Sequence, residues 1–195
     1  MISLTQKERE TLLILFKDFS TFYNANSISK ILNISHVGAQ KIFKRLYNNN
    51  LLTSKKIGKS IIYKLNLNDY TSKLIIFLLA DESNKFMRWK EEFKELSKKD
   101  RIIMIFGSIT KNYDKAEDID IMIVMNKKDI KEINKNLKEK EKILPKKIHA
   151  IKLTHKDLLE NIKNKDKVTI DIVKNSIILY GHDKYVDIIK NVTSL

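Results

Sequence analysis

The segment RIIMIFGSITKNYDKAEDIDIMIV, residues 101–124, decides the fold of the C-terminal part of the chain. It opens with an apolar run of strand length that ends at Gly107-Ser108, and a polar loop follows. A second run of strand length begins with two aspartates, Asp118 and Asp120. Because side chains of a strand alternate between its faces, both aspartates are expected on one face and the isoleucines beside them in the core. The segment predicts two strands with paired carboxylates at the start of the second.

These carboxylates suit a cation site beside a phosphate. Two adjacent carboxylates at the start of a strand repel each other unless a cation lies between them. Mg²⁺ prefers oxygen ligands, water and phosphate oxygens. A glycine at a strand end lets the backbone approach a phosphate, which the following amides and the Ser108 hydroxyl can hold. Since the chain has no cysteine and its 4 histidines are scattered without ligand spacing, we expect oxygen atoms alone to hold any metal.

The rest of the C-terminal part alternates helices and strands. The pattern predicts a helix near Lys127 to Lys142, a strand from Lys147 to Leu153, a helix capped by Thr154, and a closing strand from Ile177 to Tyr180. Elements in this order are typical of an α/β (α+β) domain. We therefore expect such a domain, with a small mixed sheet, over residues 100–195.

Residues 1–68 combine helix signals with a hairpin signal. The predicted helices run from about Thr5 to Phe19 with a Thr5/Glu8 capping box, from a cap at Ser27 to near Asn33, and from a cap at Ser35 to Asn48-Asn49-Asn50. Two strands joined by a basic tip that contains Gly58 follow in residues 51–65. Helix, short helix, tight turn and helix is the helix-turn-helix order, and the hairpin predicts a wing.

The third predicted helix has two faces of different chemistry. Its apolar series consists of Val37, Ala39, Ile42, Phe43 and Leu46. The outward side chains of this helix and of the wing tip are Ser35, His36, Gln40, Lys41, Lys44, Arg45, Lys55, Lys56 and Lys59. Lysine and arginine suit phosphate contacts, whereas only Gln40, His36 and Arg45 have the geometry to bind base edges.

Residues 1–68 resemble the winged-helix regulators of bacteria and archaea. The resemblance is carried by ISKILNIS at residues 28–35 and by the hairpin with LLT at 51–53, GK at 58–59 and YKL at 63–65. It implies a domain that binds double-stranded DNA, with the third helix in the major groove and the wing tip on phosphates or in the minor groove. A winged helix used for protein contact or dimerisation stays open as the alternative.

The pattern G-S-x9-D-x-D, from Gly107 to Asp120, resembles the signature of the polymerase-beta-like nucleotidyltransferase superfamily, specifically its minimal stand-alone members. The likeness covers roughly residues 100–190, including KNSIILYG at 174–181. It implies that Gly107 and Ser108 bind the triphosphate of a nucleotide, with ATP expected. It also implies that Asp118 and Asp120 are catalytic and bind Mg²⁺ or Mn²⁺. The acceptor hydroxyl would belong to a protein, an RNA end or a small molecule, and antitoxins that modify a toxin partner are among the minimal members.

Two departures from that signature bear on activity. The loop between Ser108 and Asp118 is about one residue shorter than expected and lacks the usual glycine and arginine. Active members carry a third carboxylate on the next strand, where this chain has KIHAIK at residues 147–152. Slow chemistry, a base such as His149, and nucleotide binding without turnover all stay open. The simpler interpretations are an ordinary strand histidine at position 149 and a surface charge at Asp171, which lies in a predicted helix.

The chain is thus predicted to be a two-domain α/β (α+β) protein. A winged helix-turn-helix domain at 1–68 is followed by a helical connector at 69–99 and a nucleotidyltransferase-like domain at 100–195. The connector forms one long helix or two shorter ones, and its apolar stripe serves a homodimer or covers the next domain's core. Two functions stay open, a DNA-binding nucleotidyltransferase and a transcription regulator whose degenerate second domain senses a nucleotide or a partner, with a structural adaptor as a third. Whether the protein is an enzyme is undecided at this point.

Charge and hydropathy bear on the location of the protein and on its partners. The formal charge of the 195 residues is +14, and residues 1–70, with 11 Lys and Arg against 4 Asp and Glu, hold +7 of it. The basic excess therefore lies towards the predicted DNA-binding end. No apolar run approaches the roughly 20 residues that span a bilayer, and the N-terminus lacks a signal-peptide pattern. We expect a cytoplasmic protein with no membrane partner.

Overall fold

The computed structural model describes residues 3–193 and divides the chain into two compact units. The first unit ends at Leu78 and the second begins at Leu79. The predicted domain boundaries, after residues 68 and 99, stay predictions. Both units combine helices with a small sheet, which confirms the predicted mixed α/β class.

The first unit follows the predicted helix-turn-helix and wing order. Its elements are α1 (Gln6–Lys17), α2 (Ala25–Leu32), α3 (His36–Asn48), β1 (Leu52–Ile57), β2 (Ser60–Leu65) and the first part of α4 (Asp69–Asn84). Strands β1 and β2 pair antiparallel from Leu52↔Leu65 to Ile57↔Ser60. Gly58, with φ +58°, adopts the left-handed conformation that the tight hairpin turn requires.

Side-chain caps explain where the three helices begin. The Thr5 side chain accepts from the Glu8 amide and Glu8 accepts in return from Thr5, so the predicted capping box is confirmed. Ser35 caps α3 as predicted, accepting from the Gly38 amide at 3.0 Å. The predicted cap of α2 at Ser27 is wrong, because the Asn24 side chain accepts from the Ser27 amide and the helix begins at Ala25. Ser27 instead closes a capping box from inside the helix.

The core of the first unit joins α3 to the wing. Phe43 of α3 is fully buried and stacks on Tyr63 of β2, with ring centroids 4.2 Å apart and planes 7° from parallel. The Tyr63 amide also donates to the Tyr23 carbonyl at 2.9 Å. The Tyr23 hydroxyl donates in turn to the buried Asp18 carboxylate at 2.6 Å. Ring stacking therefore holds α3 against the hairpin, and a hydrogen bond ties β2 to the segment between α1 and α2.

The second unit is built on a mixed four-stranded sheet. Its elements are the end of α4, α5 (Met87–Glu92), β3 (Ile102–Phe106), β4 (Asp118–Val124), α6 (Ile130–Glu141), β5 (Lys147–Leu153), α7 (His155–Lys163), α8 (Lys167–Asn175), β6 (Ile177–Tyr180) and α9 (His182–Thr193). The strand order is β5-β4-β3-β6, in which β4 and β5 are parallel and the other pairs antiparallel. All four strands match the predicted ones closely. Helix α9 was not predicted.

The second half of the predicted connector belongs to the core of the second unit. Residues 69–99 form α4, α5 and a short 3-10 turn, so the expectation of two shorter helices is the correct one. Trp89, Phe93 and Leu96 are buried in the same core cluster as the inward isoleucines of β3 and β4. This part of the apolar stripe therefore covers the sheet rather than a second copy of the chain.

A close backbone approach fixes the start of α9. Gly181 has φ +79°, and a Cβ atom built on it would lie 2.2 Å from the Arg101 carbonyl oxygen and 2.9 Å from Ile102 Cα. The Arg101 guanidinium is buried and bonds to the Leu96 carbonyl and to Glu132. These contacts fix the position of Arg101, the residue before β3.

Within residues 3–193, none of the helices has the length and apolar character needed to cross a membrane.

Candidate functional site

Strand β4 presents Asp118 and Asp120 on one face, as the alternation of a strand predicts. The isoleucines that flank Asp120, Ile119 and Ile121, are 1% and 0% exposed and belong to the core. The two aspartate side chains keep about a quarter of their surface in solvent, 30% for Asp118 and 24% for Asp120. One face of β4 is buried and the other is partly exposed, so the paired carboxylates lie at the edge of the core.

The glycine-serine turn lies directly against this carboxylate pair. Phe106, the last residue of β3, pairs with Asp120, and Gly107 follows with φ +74°. A Cβ atom on Gly107 would lie 2.2 Å from Asp120 Oδ2. Only a glycine leaves room for the carboxylate at this point, so the turn and the aspartates share one site.

The residues after Gly107 form a single 3-10 turn, Gly107–Thr110, rather than the start of a longer helix. The Thr110 hydroxyl donates to the Gly107 carbonyl at 2.8 Å, and the amides of Lys111 and Asn112 donate to the Ser108 carbonyl at 3.0 Å. These bonds fix the backbone of the turn. The Ser108 side chain is exposed beside it.

His149 completes a cluster of three donor side chains. Because β5 runs parallel to β4 and His149 pairs with Asp120, their side chains point to the same face of the sheet. His149 Nδ1 lies 2.9 Å from Asp118 Oδ2 and 3.8 Å from Asp120 Oδ1. The sequence located the segment where a third carboxylate is expected. The contact of His149 with the two aspartates depends on which strands pair, and the residue pattern alone does not show this.

The electrostatics of the cluster favour a cation. Partial burial raises the pKa of Asp120, the negative charge of Asp118 raises it further, and His149 acts in the opposite direction. The ionised form of Asp120 is therefore unfavourable beside Asp118 unless positive charge is near.

The donor set fits a divalent metal ion. One ligand atom from each of Asp118, Asp120 and His149 lies within 4.8 Å of the other two. Two carboxylate oxygens and an imidazole nitrogen are ordinary ligands of divalent cations. The strand pairing thus places a nitrogen donor beside the two carboxylates, and the expectation of oxygen ligands alone stays a prediction.

The loop between the turn and β4 is held by cations that the sequence did not reveal as partners. Arg88 of α5 lies 4.0 Å from the Tyr113 ring centroid and donates to its hydroxyl at 3.0 Å. Lys146 lies 4.8 Å from the same ring and donates to the Ala116 carbonyl. The loop lacks an arginine of its own, and α5 places one beside it. These contacts fix the backbone that leads into Asp118.

Asp171 lies outside the cluster. It is exposed on α8, and its carboxylate accepts from Asn175 Nδ2 at 2.8 Å. This placement agrees with the prediction of a surface charge.

The candidate DNA-binding side chains lie on α3 and the wing as exposed groups. They are Ser35, which caps α3, and the exposed residues His36, Gln40, Lys41, Lys44, Lys55, Lys56 and Lys59. Val37 was assigned to the apolar face of this helix, but its side chain is 58% exposed, which corrects that assignment. An exposed valine in the first turn of α3 adds an apolar group to this polar surface.

Arg45 differs from the other candidates because its guanidinium is already paired. Nη1 lies 3.2 Å from Glu8 Oε1, and Nη2 donates to the Ser3 carbonyl at 2.6 Å. The Glu8 side chain is 3% exposed. Arg45 therefore ties α3 to the start of α1 in the structure.

Residues 89–185 match the family model described as "Polymerase beta, Nucleotidyltransferase". The match contains the glycine-serine turn, both aspartates and His149, and it confirms the resemblance of this part of the chain. A domain of this family implies a divalent metal and a nucleoside triphosphate in general. None of the curated proteins matches the chain.

Several solved structures are similar to part of the chain, two of which have the following coverage and identity. The adhesin competence repressor (AdcR) from Streptococcus pyogenes has a TM-score of 0.38 and 16% identity, covering 49% of this chain and 69% of that one. A point mutant of ZitR from Lactococcus lactis also has a TM-score of 0.38, with 15% identity over 49% of this chain and 64% of that one.

Proposed function

We propose that this protein is a DNA-binding nucleotidyltransferase that transfers a nucleotidyl group from a metal-bound nucleoside triphosphate to a hydroxyl acceptor. The single observation that carries the proposal is the contact of the Gly107 turn with the Asp120 carboxylate, beside Asp118 and His149. It supports a phosphate on the turn facing a cation on the carboxylates. We assign the reaction to residues 100–195 and DNA binding to residues 1–68.

Each residue of the site has a proposed role. Asp118 and Asp120 would hold the divalent cation, Mg²⁺ or Mn²⁺, and Gly107 and Ser108 would hold the triphosphate. A bound cation supplies neutralisation of the charge on the phosphate oxygens. In the reaction the acceptor oxygen forms a bond to the α-phosphorus, the bond to the pyrophosphate oxygen breaks, and the hydroxyl proton passes to solvent. The chain's own contribution is to position the phosphates and keep both carboxylates on one side of them.

The test is a transfer assay with the full chain and α-labelled ATP or CTP in the presence of Mg²⁺ or Mn²⁺. We expect label on the acceptor, with RNA ends, a protein substrate and the chain itself offered in separate reactions. Binding of the same nucleotide, measured directly by calorimetry, separates an inactive site from a missing acceptor. A chain that neither binds nor transfers the nucleotide would contradict the proposal.

A second function is favoured by the missing third carboxylate, since KIHAIK at residues 147–152 contains no Asp or Glu. In that case the second domain binds a nucleotide without turning it over and changes the affinity of the first domain for DNA. Nucleotide binding that shifts DNA affinity in the absence of label transfer would select this regulator. For the enzyme, a protein acceptor such as a toxin partner, a homodimeric state and a cytoplasmic location are further proposals from the resemblance alone.

Replacing Gly107 with alanine should disable the site while leaving the fold intact. The added Cβ meets the end of the flexible Asp120 side chain, which can rotate away, so the carboxylate is displaced rather than the backbone. We expect label transfer to fall about a hundredfold from this misplacement. The positive φ should cost about 1–2 kcal/mol of stability. Transfer at the wild-type rate in Gly107→Ala would show that the contact with Asp120 has no role.

Replacing Lys44 with alanine should weaken DNA binding for every sequence. A lysine on the exposed face of α3 contacts phosphates, so we expect a lower affinity for a random duplex and a salt dependence reduced by about one charge.

Gln40→Ala should instead reduce discrimination among duplexes selected from a randomised pool, by about 1–3 kcal/mol at the contacted base. Fluorescence anisotropy at several salt concentrations measures both effects.

The matched control for Lys44 is Lys73→Ala, which removes an exposed lysine from α4, outside α3 and the wing. It should leave DNA affinity near that of the wild type. Equal losses from both substitutions would indicate a general effect of net charge and contradict a specific role of α3.

A further inference from the structure

We infer that His149 is a protein ligand of the metal, and that the cluster of Asp118, Asp120 and His149 prefers a divalent transition-metal ion such as Mn²⁺ to Mg²⁺. The use of this metal in nucleotidyl transfer rests on the proposed function. The site itself rests on the geometry of strands β4 and β5.

The pairing of the two strands brings the three donors together. Asp118 and Asp120 are two residues apart on β4, and His149 is the register partner of Asp120 on the parallel strand β5. All three side chains therefore lie on one face of the sheet. Ile148, the neighbour of His149, is buried on the opposite face in the same core cluster as Ile119. The histidine is thereby oriented by the same alternation that orients the aspartates.

The ring nitrogen that faces the carboxylates is Nδ1. It lies at hydrogen-bond distance, 2.9 Å, from Asp118 Oδ2, and one donor atom from each residue falls within 4.8 Å of the others. The imidazole is 61% exposed, so it can adjust its position around a cation. A role as general base for an acceptor would leave only Nε2 for the proton, since Nδ1 is directed at the aspartates.

The chemistry of the donors decides the choice of metal. Mg²⁺ demands an octahedral set of oxygen ligands and releases its water reluctantly. Imidazole nitrogen is a better ligand for first-row transition-metal ions, and Mn²⁺ also accepts carboxylate and phosphate oxygens. With an imidazole rather than a carboxylate as the third donor, the donor set carries one negative charge fewer, which weakens the attraction for a hard cation. The exchange therefore lowers Mg²⁺ affinity more than Mn²⁺ affinity.

The test is the binding of MnCl₂ and MgCl₂, each alone, to the full chain by calorimetry, with electron paramagnetic resonance of the bound Mn²⁺. We expect Mn²⁺ to bind at least about tenfold more tightly than Mg²⁺, with a nitrogen coupling in the Mn²⁺ spectrum. His149→Ala should remove that coupling and weaken Mn²⁺ binding by about tenfold or more. His149→Asp should remove the coupling and raise Mg²⁺ affinity, which narrows the preference. Asp171→Asn, an exposed acid outside the cluster, should change neither affinity.

Three results would overturn the inference: no metal binding by the wild type, bound Mn²⁺ without nitrogen coupling, or an unchanged metal preference in His149→Ala. These outcomes are distinct from failure of the proposed function. A nitrogen-coupled Mn²⁺ without label transfer would sustain the metal site and reject the enzyme. Label transfer with equal use of both metals and no coupling would sustain the enzyme and reject His149 as a ligand.

Discussion

Label transfer should fall by about a hundredfold to a thousandfold when Asp120 is replaced by asparagine. The substitution keeps the size of the side chain and removes the charge that holds the cation opposite the Gly107 turn. Asp118→Asn should have a comparable effect. Because the two carboxylates act on one cation, the double variant should lose little more than either single one. The measurement is the initial rate of label transfer at saturating nucleotide.

Asp171→Asn provides the control for this series, since it makes the same chemical change on the exposed face of α8. It should transfer label at the wild-type rate. Near-normal transfer by Asp120→Asn would exclude the carboxylate pair from the reaction. A multiplicative loss in the double variant would indicate that the two aspartates act in separate steps.

Replacing Gly181 with alanine should strongly destabilise the second unit. The new Cβ would meet the backbone of Arg101 and Ile102, which cannot move without disturbing the start of β3. Left-handed strain and this overpacking together should lower the free energy of unfolding by about 3 kcal/mol or more. Urea denaturation followed by Trp89 fluorescence measures the effect, because Trp89 is the only tryptophan of the chain and is buried in the core of this unit.

Gly107→Ala is the matched control for Gly181→Ala. Both glycines have a positive φ and lie in the same unit, but Gly107 faces a movable side chain whereas Gly181 faces backbone. The control should lose only the left-handed strain. Equal losses of stability in the two variants would show that the close approach to Arg101 is easily relieved.

Local features of this protein were predictable from sequence to the extent that they depend on neighbours in the chain. The period of a strand placed Asp118 and Asp120 on one face, and the capping residues Thr5 and Ser35 located the starts of α1 and α3. At α2 both Asn24 and Ser27 are capping residues by type, and Asn24 is the cap in the structure. Pattern alone does not decide between two capping residues three positions apart.

Features that depend on pairing between distant segments were not predictable in the same way. His149 was named as a possible base on the strand where active members carry a third carboxylate, but its contact with Asp118 required the parallel register of β4 and β5. The partner of Arg45 on α1 was hidden for the same reason. Helix α9 is a different case, because its buried residues Tyr185, Val186, Ile188 and Ile189 have helical spacing that the sequence displays.

Because Arg45 is paired with Glu8, the first unit has fewer positive charges available for DNA than its residue types suggest. Binding of a protein to DNA releases counterions in proportion to the phosphates that its free cations neutralise. Arg45 arrives with its charge already balanced by a carboxylate that is nearly out of solvent. If the Arg45 guanidinium moved to a DNA phosphate, the Glu8 carboxylate, which also caps α1, would lose its charged partner. The number of ions displaced from DNA should therefore be one smaller than the tally of lysines and arginines on α3 and the wing suggests.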